Sequence, residues 1–338
     1  MKRRIALLLA LVMLLAVVPV QAANGAFYDV AESGWAYSSI KTAAQAGLIR
    51  GIEENCFGYG QGMSRAAYVT ALNRLMGWTA VTPEKGSFAD NQNPKKWYFS
   101  AIETAYANGV LTKQSAYCRP TEAITREEMA VMTVRALGYA GLSGLVQESC
   151  PFLDVSANQG YITLAYRMGL ITGTNYHAFT PKRMLRREEA AVVLVRVLEQ
   201  MKLNAAQSDQ TAPADAVRAK SITATGGTPP MSPRAPLETV YAAAVKANGS
   251  SVVLHATPLE QIVKNGKVEE EREIPKSEVV TLIKNGTKVY RSTRYESSYL
   301  LYKENGKTHI VWYESDTDLA KKTSLCALLG VKTVYIER

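Results

Sequence analysis

The chain has 338 residues, of which 47% are hydrophobic and 20% are charged, and its formal net charge is +9 at pH 7. These values are typical of a globular protein, and the length allows two or three domains. Lys2, Arg3 and Arg4 supply three of the nine net charges and the rest is spread along the chain, so no nucleic-acid partner is expected.

The N-terminus has the pattern of an export signal. An apolar stretch over residues 5–18 follows the basic residues, and Val20-Gln21-Ala22 fits a small-x-small cleavage site. The stretch is shorter than the roughly 18 to 20 apolar residues that a spanning helix needs, and no later segment approaches that length. We therefore expect residues 1–22 to be a cleaved signal peptide and the mature protein to be secreted without a membrane span.

One pattern occurs three times between residues 27 and 201. Each copy opens with Phe-x-Asp, continues with Ala-x-x-x-Gly and two apolar residues, and then has an arginine before an apolar segment. The arginines are spaced by 126 − 65 = 61 and 187 − 126 = 61 residues, which is the signature of an internal repeat. The repeated positions are Asp29, Asp90 and Asp154, then Gly47, Gly109 and Gly169, then Arg65, Arg126 and Arg187.

Each copy is predicted to be a helix, a loop and a second helix. The first helix should end at the glycine, which adopts the left-handed conformation that closes helices. Thr125 with Glu128 three residues later is a capping box, which predicts where the second helix of the middle copy begins. The predicted apolar segments of the second helices are 68–76, 129–137 and 190–198.

In their order and threefold recurrence these motifs resemble S-layer homology domains, with copies at residues 27–80, 87–141 and 151–201. The resemblance implies a mainly α module of three helix-loop-helix repeats in a pseudo-threefold, three-pronged arrangement. It implies binding of secondary cell-wall polysaccharide, an anionic and often pyruvylated polymer, without catalysis, metal or cofactor. It also implies attachment to the bacterial cell wall or S-layer.

The arginine that begins each second helix suggests an anion site. A cation is unfavourable at a helix N-terminus, so its repetition suggests an anion shared between the guanidinium and the helix end. The alternative is an ion pair with a carboxylate such as Glu127, Glu188 or that of Phe-x-Asp. The aspartates can cap the first helices, and the resemblance also places them at binding grooves.

Trp35 and Trp97 occupy one repeat position, where they either stack on sugar rings or face the core. Gly51 and Gly173 are predicted to let the backbone approach a ligand, whereas the middle copy has Lys113 at that position. The predicted polysaccharide-binding residues are Asp29, Trp35, Gly51, Arg65, Asp90, Trp97, Arg126, Asp154, Gly173 and Arg187.

The three copies are not equivalent. The first has Ala67 where the motif has glutamate, and the third has Arg186 in place of threonine and is shortened without a tryptophan near residues 157–160. We therefore expect one or two of the grooves to bind the polysaccharide. The expected grooves are those of Gly51 with Arg65 and of Gly173 with Arg187, rather than the one near Lys113.

Residues 204–236 are rich in small residues and proline, and are predicted to be a flexible linker. Residues 237–338 are predicted to be a small α+β domain. Three Asn-Gly dipeptides, at residues 265, 285 and 305, are typical of type I′ hairpin turns. The predicted helices are 237–247 and 318–329, and the predicted strands are 279–283, 288–292, 299–303, 308–313 and 331–336.

Cys56, Cys118, Cys150 and Cys326 are far apart, which leaves one disulfide and buried free thiols equally open. Cys326 stands in an apolar helix and is predicted to be a core thiol. No HExxH, GxSxG, Walker or CxxC motif is present, so no catalytic or metal-ligating residue is assigned.

The leading interpretation is a non-catalytic anchoring protein that displays its C-terminal domain, whose own partner the sequence does not identify. The main alternative is a wall-attached enzyme, a glycan or peptidoglycan hydrolase, with its activity in residues 237–338. A self-assembling surface-layer protein is a third possibility.

Overall fold

A computed structural model of the chain describes residues 27–203, 205–219, 235–293 and 295–338. The predicted signal peptide, residues 1–22, lies outside these ranges, as do residues 204 and 220–234 of the predicted linker. The N-terminal part is helical and the C-terminal part is rich in β-strands. Within the described residues, no helix combines the length and apolarity that crossing a membrane requires.

Three successive pairs of helices make up residues 27–203, and we call them units 1, 2 and 3. The first helix of each pair is followed by a glycine with positive φ, which is 68° at Gly47, 73° at Gly109 and 69° at Gly169, as predicted. The helices are α1 Tyr37–Gln45, α2 Arg65–Met76, α3 Phe99–Ala107, α4 Arg126–Ala136, α5 Gln159–Arg167 and α6 Arg187–Gln200.

The N-termini of the second helices differ in how completely side chains cap them, and α4 has the most complete cap. At α4 the predicted capping box is confirmed, because Thr125 Oγ1 accepts from Glu128 N at 3.2 Å and Glu128 Oε2 accepts from Thr125 N at 3.0 Å. At α2, Ser64 Oγ accepts from Ala67 N at 3.2 Å. At α6, the cap bond among the described residues is the one in which the backbone N of Arg186 donates to the side-chain Oε2 of Glu189, at 2.9 Å.

Backbone hydrogen bonds link the three units in a closed ring, just before their second helices. Ile124 N donates to Met63 O at 2.9 Å, Leu185 N donates to Ile124 O at 2.8 Å, and Met63 N donates to Leu185 O at 2.9 Å. All three side chains are buried. Since the third bond returns to the first unit, each unit contacts both others in the core of the helical part.

The described residues of the C-terminal part form two sheets and three helices. The strands are β1 Ala206–Ser208, β2 Val217–Arg218, β3 Ser251–His255, β4 Leu259–Lys264, β5 Lys267–Glu273, β6 Val289–Ser292, β7 Ser297–Glu304, β8 Lys307–Tyr313 and β9 Thr333–Glu337. The helices are α7 Leu237–Ala247, α8 Lys276–Lys284 and α9 Asp316–Leu328. One sheet is parallel in the order β1-β9-β3-β2, and the other is antiparallel in the order β5-β4-β8-β7-β6.

Two strands lie in the segment that was predicted to be a flexible linker. Residues 206–208 pair with residues 333–335, and residues 217–218 pair with residues 252–253. The linker interpretation is therefore wrong for these strands. Short strands of two or three residues carry too little periodicity to be recognised in the sequence, and their partners are distant along the chain.

The predicted strand at 279–283 is also wrong, because it lies inside α8, where Val279 is buried. Asn285-Gly286 ends this helix rather than forming a hairpin: Asn285 has φ −78° and Gly286 has φ +87°. The dipeptides at 265–266 and 305–306 do have positive φ at both residues, and they connect β4 with β5 and β7 with β8 as type I′ turns.

The two parts of the chain are in contact. Tyr139 Oη, beyond α4, donates to Lys321 O on α9 at 3.3 Å. Glu148 accepts hydrogen bonds from Arg167 on α5 and from Tyr241 on α7. The β-rich part is therefore anchored against units 2 and 3.

All four cysteines fall within the described residues, and each is a free thiol. Cys326 is fully buried on α9, as predicted, and burial raises the pKa of its thiol to about 12. A thiol with that pKa is protonated at neutral pH, which suits a core residue rather than a nucleophile.

Candidate functional site

The three Phe-x-Asp carboxylates hold loops and do not cap helices. Asp29 accepts from the backbone N–H groups of residues 57, 58 and 59 at 2.7–2.8 Å, and Asp90 accepts from residues 118 and 119 at 2.9 and 2.7 Å. Asp154 accepts from residues 179 and 180 at 2.8 and 2.7 Å. Among the residues that the structure describes, no side chain caps the start of α1, α3 or α5. The helix-capping interpretation is therefore wrong.

Replacing Asp29 by alanine is expected to destabilise the protein by about 2 kcal/mol, because three N–H groups lose an ionised acceptor. Burial by itself raises the pKa of Asp29, but these donors lower it below its usual value overall. A lowered pKa stabilises the folded state above the unfolded pKa of about 3.9, and this stabilisation is lost as the pH falls through the folded value. Urea unfolding of the wild type and of Asp29→Ala, at pH 7 and at pH 3, measures the difference in their free energies of unfolding. This difference should be smaller at pH 3, and an unchanged difference would contradict the role of Asp29.

Each arginine at the start of a second helix reaches into the loop that the next unit's aspartate holds. The Nε atoms of Arg65, Arg126 and Arg187 donate to the carbonyl oxygens of Cys118, Phe179 and Phe57, each at 2.8 Å. All three arginines are only 8% exposed. These side chains therefore link unit 1 to unit 2, unit 2 to unit 3, and unit 3 back to unit 1.

The three arginines differ in their carboxylate partners. Arg65 pairs with Glu128 at 2.6 Å, and Arg126 lies 3.6 Å from Glu189. The equivalent position for Arg187 is Ala67, and no ion pair of Arg187 is present within the described residues; its Nη2 instead donates to Arg50 O at 2.6 Å. The alternative of an ion pair therefore holds for Arg65 and Arg126, but their partners are Glu128 and Glu189 rather than Glu127 and Glu188.

Three surface grooves lie beside these arginines, and each combines residues from all three units. The Arg187 groove, of about 470 Å³, contains Arg50, Gly51, Arg74, Trp97 and Arg187. The Arg126 groove, of about 160 Å³, contains Trp35, Arg126, Gly173, Glu189 and Arg196. The Arg65 groove, of about 480 Å³, contains Arg65, Arg119, Glu127, Glu128, Arg135, Asn158 and Lys182.

These grooves correct the predicted pairing of site residues. Gly51 shares a groove with Arg187 rather than with Arg65, and Gly173 shares one with Arg126 rather than with Arg187. The prediction grouped residues of the same repeat, whereas the ring brings together residues of different repeats. The sequence pattern carries no signal for which unit follows which around the ring.

The repeated glycines are explained by their own loops. A Cβ atom on Gly51 would lie 2.5 Å from Cys56 O, and one on Gly173 would lie 2.4 Å from Asn175 O and 2.8 Å from Ala178 O. Any larger residue would therefore displace the loop backbone. Close approach of a ligand is not needed to account for glycine at these positions.

The two tryptophans lie on the surface of their grooves. Trp35 and Trp97 are each 65% exposed, so the alternative in which they face the core is wrong. In the Arg65 groove the third unit contributes Asn158, which donates to Glu127 Oε1 at 2.6 Å. Among their described residues, only the Arg187 and Arg126 grooves contain a tryptophan, whereas the Arg65 groove has Tyr117, which is 59% exposed.

The grooves also differ in charge. Among its described lining residues, the Arg187 groove has three arginines and no carboxylate. Partial desolvation of the Arg74 side chain, and then the charge of Arg50, lower the pKa of Arg74 below its usual value. Glu189 offsets the arginines of the Arg126 groove, and Glu127 and Glu128 offset the cations of the Arg65 groove. The Arg187 groove is therefore the best suited to an anion.

Comparison with known families finds a match in the helical part of the chain. The family model of the S-layer homology domain matches residues 26–69 and 91–130. Two of the predicted repeats are thus similar to the S-layer homology domain, and the repeat predicted at 151–201 lies outside the matched segments. These matches indicate attachment at the cell surface, to the cell wall.

Curated relatives include both enzymes and surface proteins. An endoglucanase of Bacillus sp. (strain KSM-635) is 30% identical over 212 residues, which is 58% of this chain and 22% of the endoglucanase. Exoglucanase XynX of Acetivibrio thermocellus is 27% identical over 180 residues, 51% of this chain and 16% of the relative. An S-layer protein of Bacillus thuringiensis subsp. finitimus is 25% identical over 184 residues, 54% of this chain and 22% of the relative. The chain spans less than a quarter of each relative.

The prediction that the chain is not an enzyme is contradicted by these comparisons, because its relatives include an endoglucanase and an exoglucanase. Among solved structures, the spore cortex-lytic enzyme SleL of Bacillus megaterium QM B1551 is 18% identical, with a TM-score of 0.29, and the similarity covers 44% of this chain and 41% of that one. A TM-score at that level defines no shared fold.

Proposed function

We propose that the three repeats form a pseudo-threefold module that holds the protein on the cell wall, and that the Arg187 groove is its main site for an anionic polysaccharide. The closed ring of backbone bonds and the three inter-unit arginine links support the pseudo-threefold arrangement. The observation that carries the proposal is the presence of three arginines, with no carboxylate among the described lining residues, beside an exposed indole ring.

The chemistry of the groove fits a sugar polymer that bears carboxylates. Arg187 is fixed by its bonds to two backbone carbonyls, which orients its guanidinium, whereas Arg50 and Arg74 are exposed and can reach a ligand. Guanidinium groups bind carboxylates in a bidentate manner, and the face of Trp97 is an apolar platform for a sugar ring. A pyruvylated secondary cell-wall polysaccharide has both features.

Replacing Trp97 by alanine is expected to weaken binding to purified cell-wall sacculi about tenfold, because the stacking surface of the Arg187 groove is lost. Trp35→Ala is the matched control, since both indoles are equally exposed on equivalent grooves. Cosedimentation of the full chain with sacculi measures both variants. Equal losses in the two variants would show that the Arg187 groove has no special role, and no loss in either would exclude tryptophan stacking.

We further propose that the anchored chain acts on wall glycan as a hydrolase, through residues 237–338. The glucanases among its relatives favour this candidate over simple display of a domain. Incubating the secreted form of the full chain with sacculi and measuring the reducing ends released tests it directly. Release above a boiled-protein control is expected, and its absence over a range of pH would contradict the hydrolase proposal while leaving the anchoring proposal intact.

A further inference from the structure

The third residue of the second helix differs among the three grooves. Each groove is lined by the arginine of one unit and by this third residue of the next unit around the ring. The pairs are Arg65 with Glu128, Arg126 with Glu189, and Arg187 with Ala67. Ala67 is half-buried and lies on the face of α2 that also brings Thr70 and Arg74 to the groove.

In two grooves this residue is a glutamate that occupies one nitrogen of the arginine. Glu128 Oε1 lies 2.6 Å from Arg65 Nη1, and Glu189 Oε1 lies 3.6 Å from Arg126 Nη1. Burial alone raises the pKa of Glu128, but the backbone N–H of Thr125 and the neighbouring guanidinium groups lower it overall. The carboxylate is therefore ionised at neutral pH, and it competes with any anion for the arginine of its own groove.

The corresponding nitrogen of Arg187 has no acceptor within the described residues. Arg187 Nε and Nη2 donate to the carbonyl oxygens of Phe57 and Arg50, at 2.8 and 2.6 Å, which leaves Nη1. The side chain of Ala67 has no polar atom that could supply a partner. A ligand carboxylate in this groove can therefore make the ion pair that Glu128 makes in the Arg65 groove.

Alanine at this position also gives up part of a helix cap. Glu128 completes the capping box of α4 by accepting from Thr125 N at 3.0 Å. At α2 the cap among the described residues is Ser64 Oγ, which accepts from Ala67 N at 3.2 Å. A glutamate at position 67 would complete a Ser-x-x-Glu box and stabilise α2. A position that breaks such a local rule is expected where function requires it.

We propose that Ala67 determines which groove takes the polymer, because it leaves Arg187 Nη1 to a carboxylate of the polysaccharide. That carboxylate takes the place that the side chains of Glu128 and Glu189 take in the other two grooves. The inference rests on the proposed function, in which a carboxylate-bearing polymer binds in the Arg187 groove. The arrangement of the two glutamates and of Ala67 does not depend on that function.

Cosedimentation of full-chain variants with purified sacculi tests the role of Ala67. Ala67→Glu is expected to weaken binding about tenfold or more, because the new carboxylate pairs with Arg187 and repels the polymer. Ala67→Gln introduces a side chain of nearly the same size without the charge, so its loss of binding should be clearly smaller. Glutamate and glutamine both complete the cap of α2, so neither variant should unfold at a lower temperature than the wild type.

A second substitution moves the free arginine to another groove. Adding Glu189→Ala to Ala67→Glu frees Arg126 beside Trp35, which is 65% exposed, and places at α6 the alanine that α2 carries naturally. Binding should recover severalfold relative to Ala67→Glu alone. Because Glu189 also accepts from Arg186 N, thermal unfolding is used to check that the double variant is folded.

Three results would overturn the proposal. They are wild-type binding by Ala67→Glu, equal losses in Ala67→Glu and Ala67→Gln, and a folded double variant that binds no better than Ala67→Glu alone. If the double variant unfolds, the two variants at position 67 still decide the question. Absence of binding by the wild type would overturn wall anchoring and this inference with it, whereas failure confined to the variants would leave wall anchoring intact.

Discussion

Reversing the charge of Arg50 and Arg74 together, by Arg50→Glu and Arg74→Glu, is expected to weaken binding to cell-wall polysaccharide by about 100-fold. Each substitution removes one charged contact with the polymer, and such a contact contributes roughly tenfold or more to the affinity. Both side chains are exposed and neither forms an ion pair within the described residues. Because Arg74 Nη1 donates to Leu48 O at 3.2 Å, thermal unfolding is used to check that the variant is folded. Cosedimentation with sacculi at several salt concentrations measures the effect, because screening weakens charge-dependent binding.

The matched control lies in the Arg65 groove. Arg119 and Lys182 are also exposed cations, but they pair with Glu128 and Glu127. Arg119→Glu with Lys182→Glu should change binding only slightly if the Arg187 groove is the main site. A loss as large as that of the Arg50 and Arg74 variant would mean that the polymer recognises the positive surface as a whole.

Replacing Arg126 by alanine is expected to destabilise the protein by about 3 kcal/mol, because a buried cation that joins units 2 and 3 is removed. The carbonyl oxygens of Phe179 and Thr172, each 2.8 Å from an Arg126 nitrogen, lose their donors. The guanidinium also lies 4.5 Å from the centre of the Phe179 ring. Arg126→Lys should not restore stability, since one ammonium cannot reproduce the fork of donors and the planar contact.

Chemical denaturation of the full chain measures this change, with Arg119→Ala as the control. Arg119 forms ion pairs on the surface, with a side chain that is 48% exposed. Surface pairs contribute about 0–1 kcal/mol, so the control should remain near wild-type stability. Equal effects of the two substitutions would contradict the role of Arg126 as a link between units.

Local features of the helical part were predictable from the sequence because they depend on neighbouring residues. The closing glycines and the capping box of Thr125 are determined within one or two helical turns. The grooves were not predictable, because the partner of Arg187 is the loop near Phe57, 130 residues away. A repeat fixes what each unit looks like but not the direction in which the units follow one another around the ring.

The C-terminal part shows the same limit. Its hairpins at residues 265–266 and 305–306 carry a strong local signal, and both are present. The segment at 279–283 is a short apolar run, in which strand and helix cannot be distinguished by periodicity alone. The buried ion pair between Glu314 and Lys322 depends on contacts between the end of β8 and α9, which no sequence motif marks.

The most direct test of wall anchoring is cosedimentation of the full chain with sacculi before and after chemical removal of the secondary polysaccharide. We predict saturable, salt-sensitive binding to intact sacculi and its loss on stripped sacculi. Equal binding to both preparations would contradict recognition of the polysaccharide.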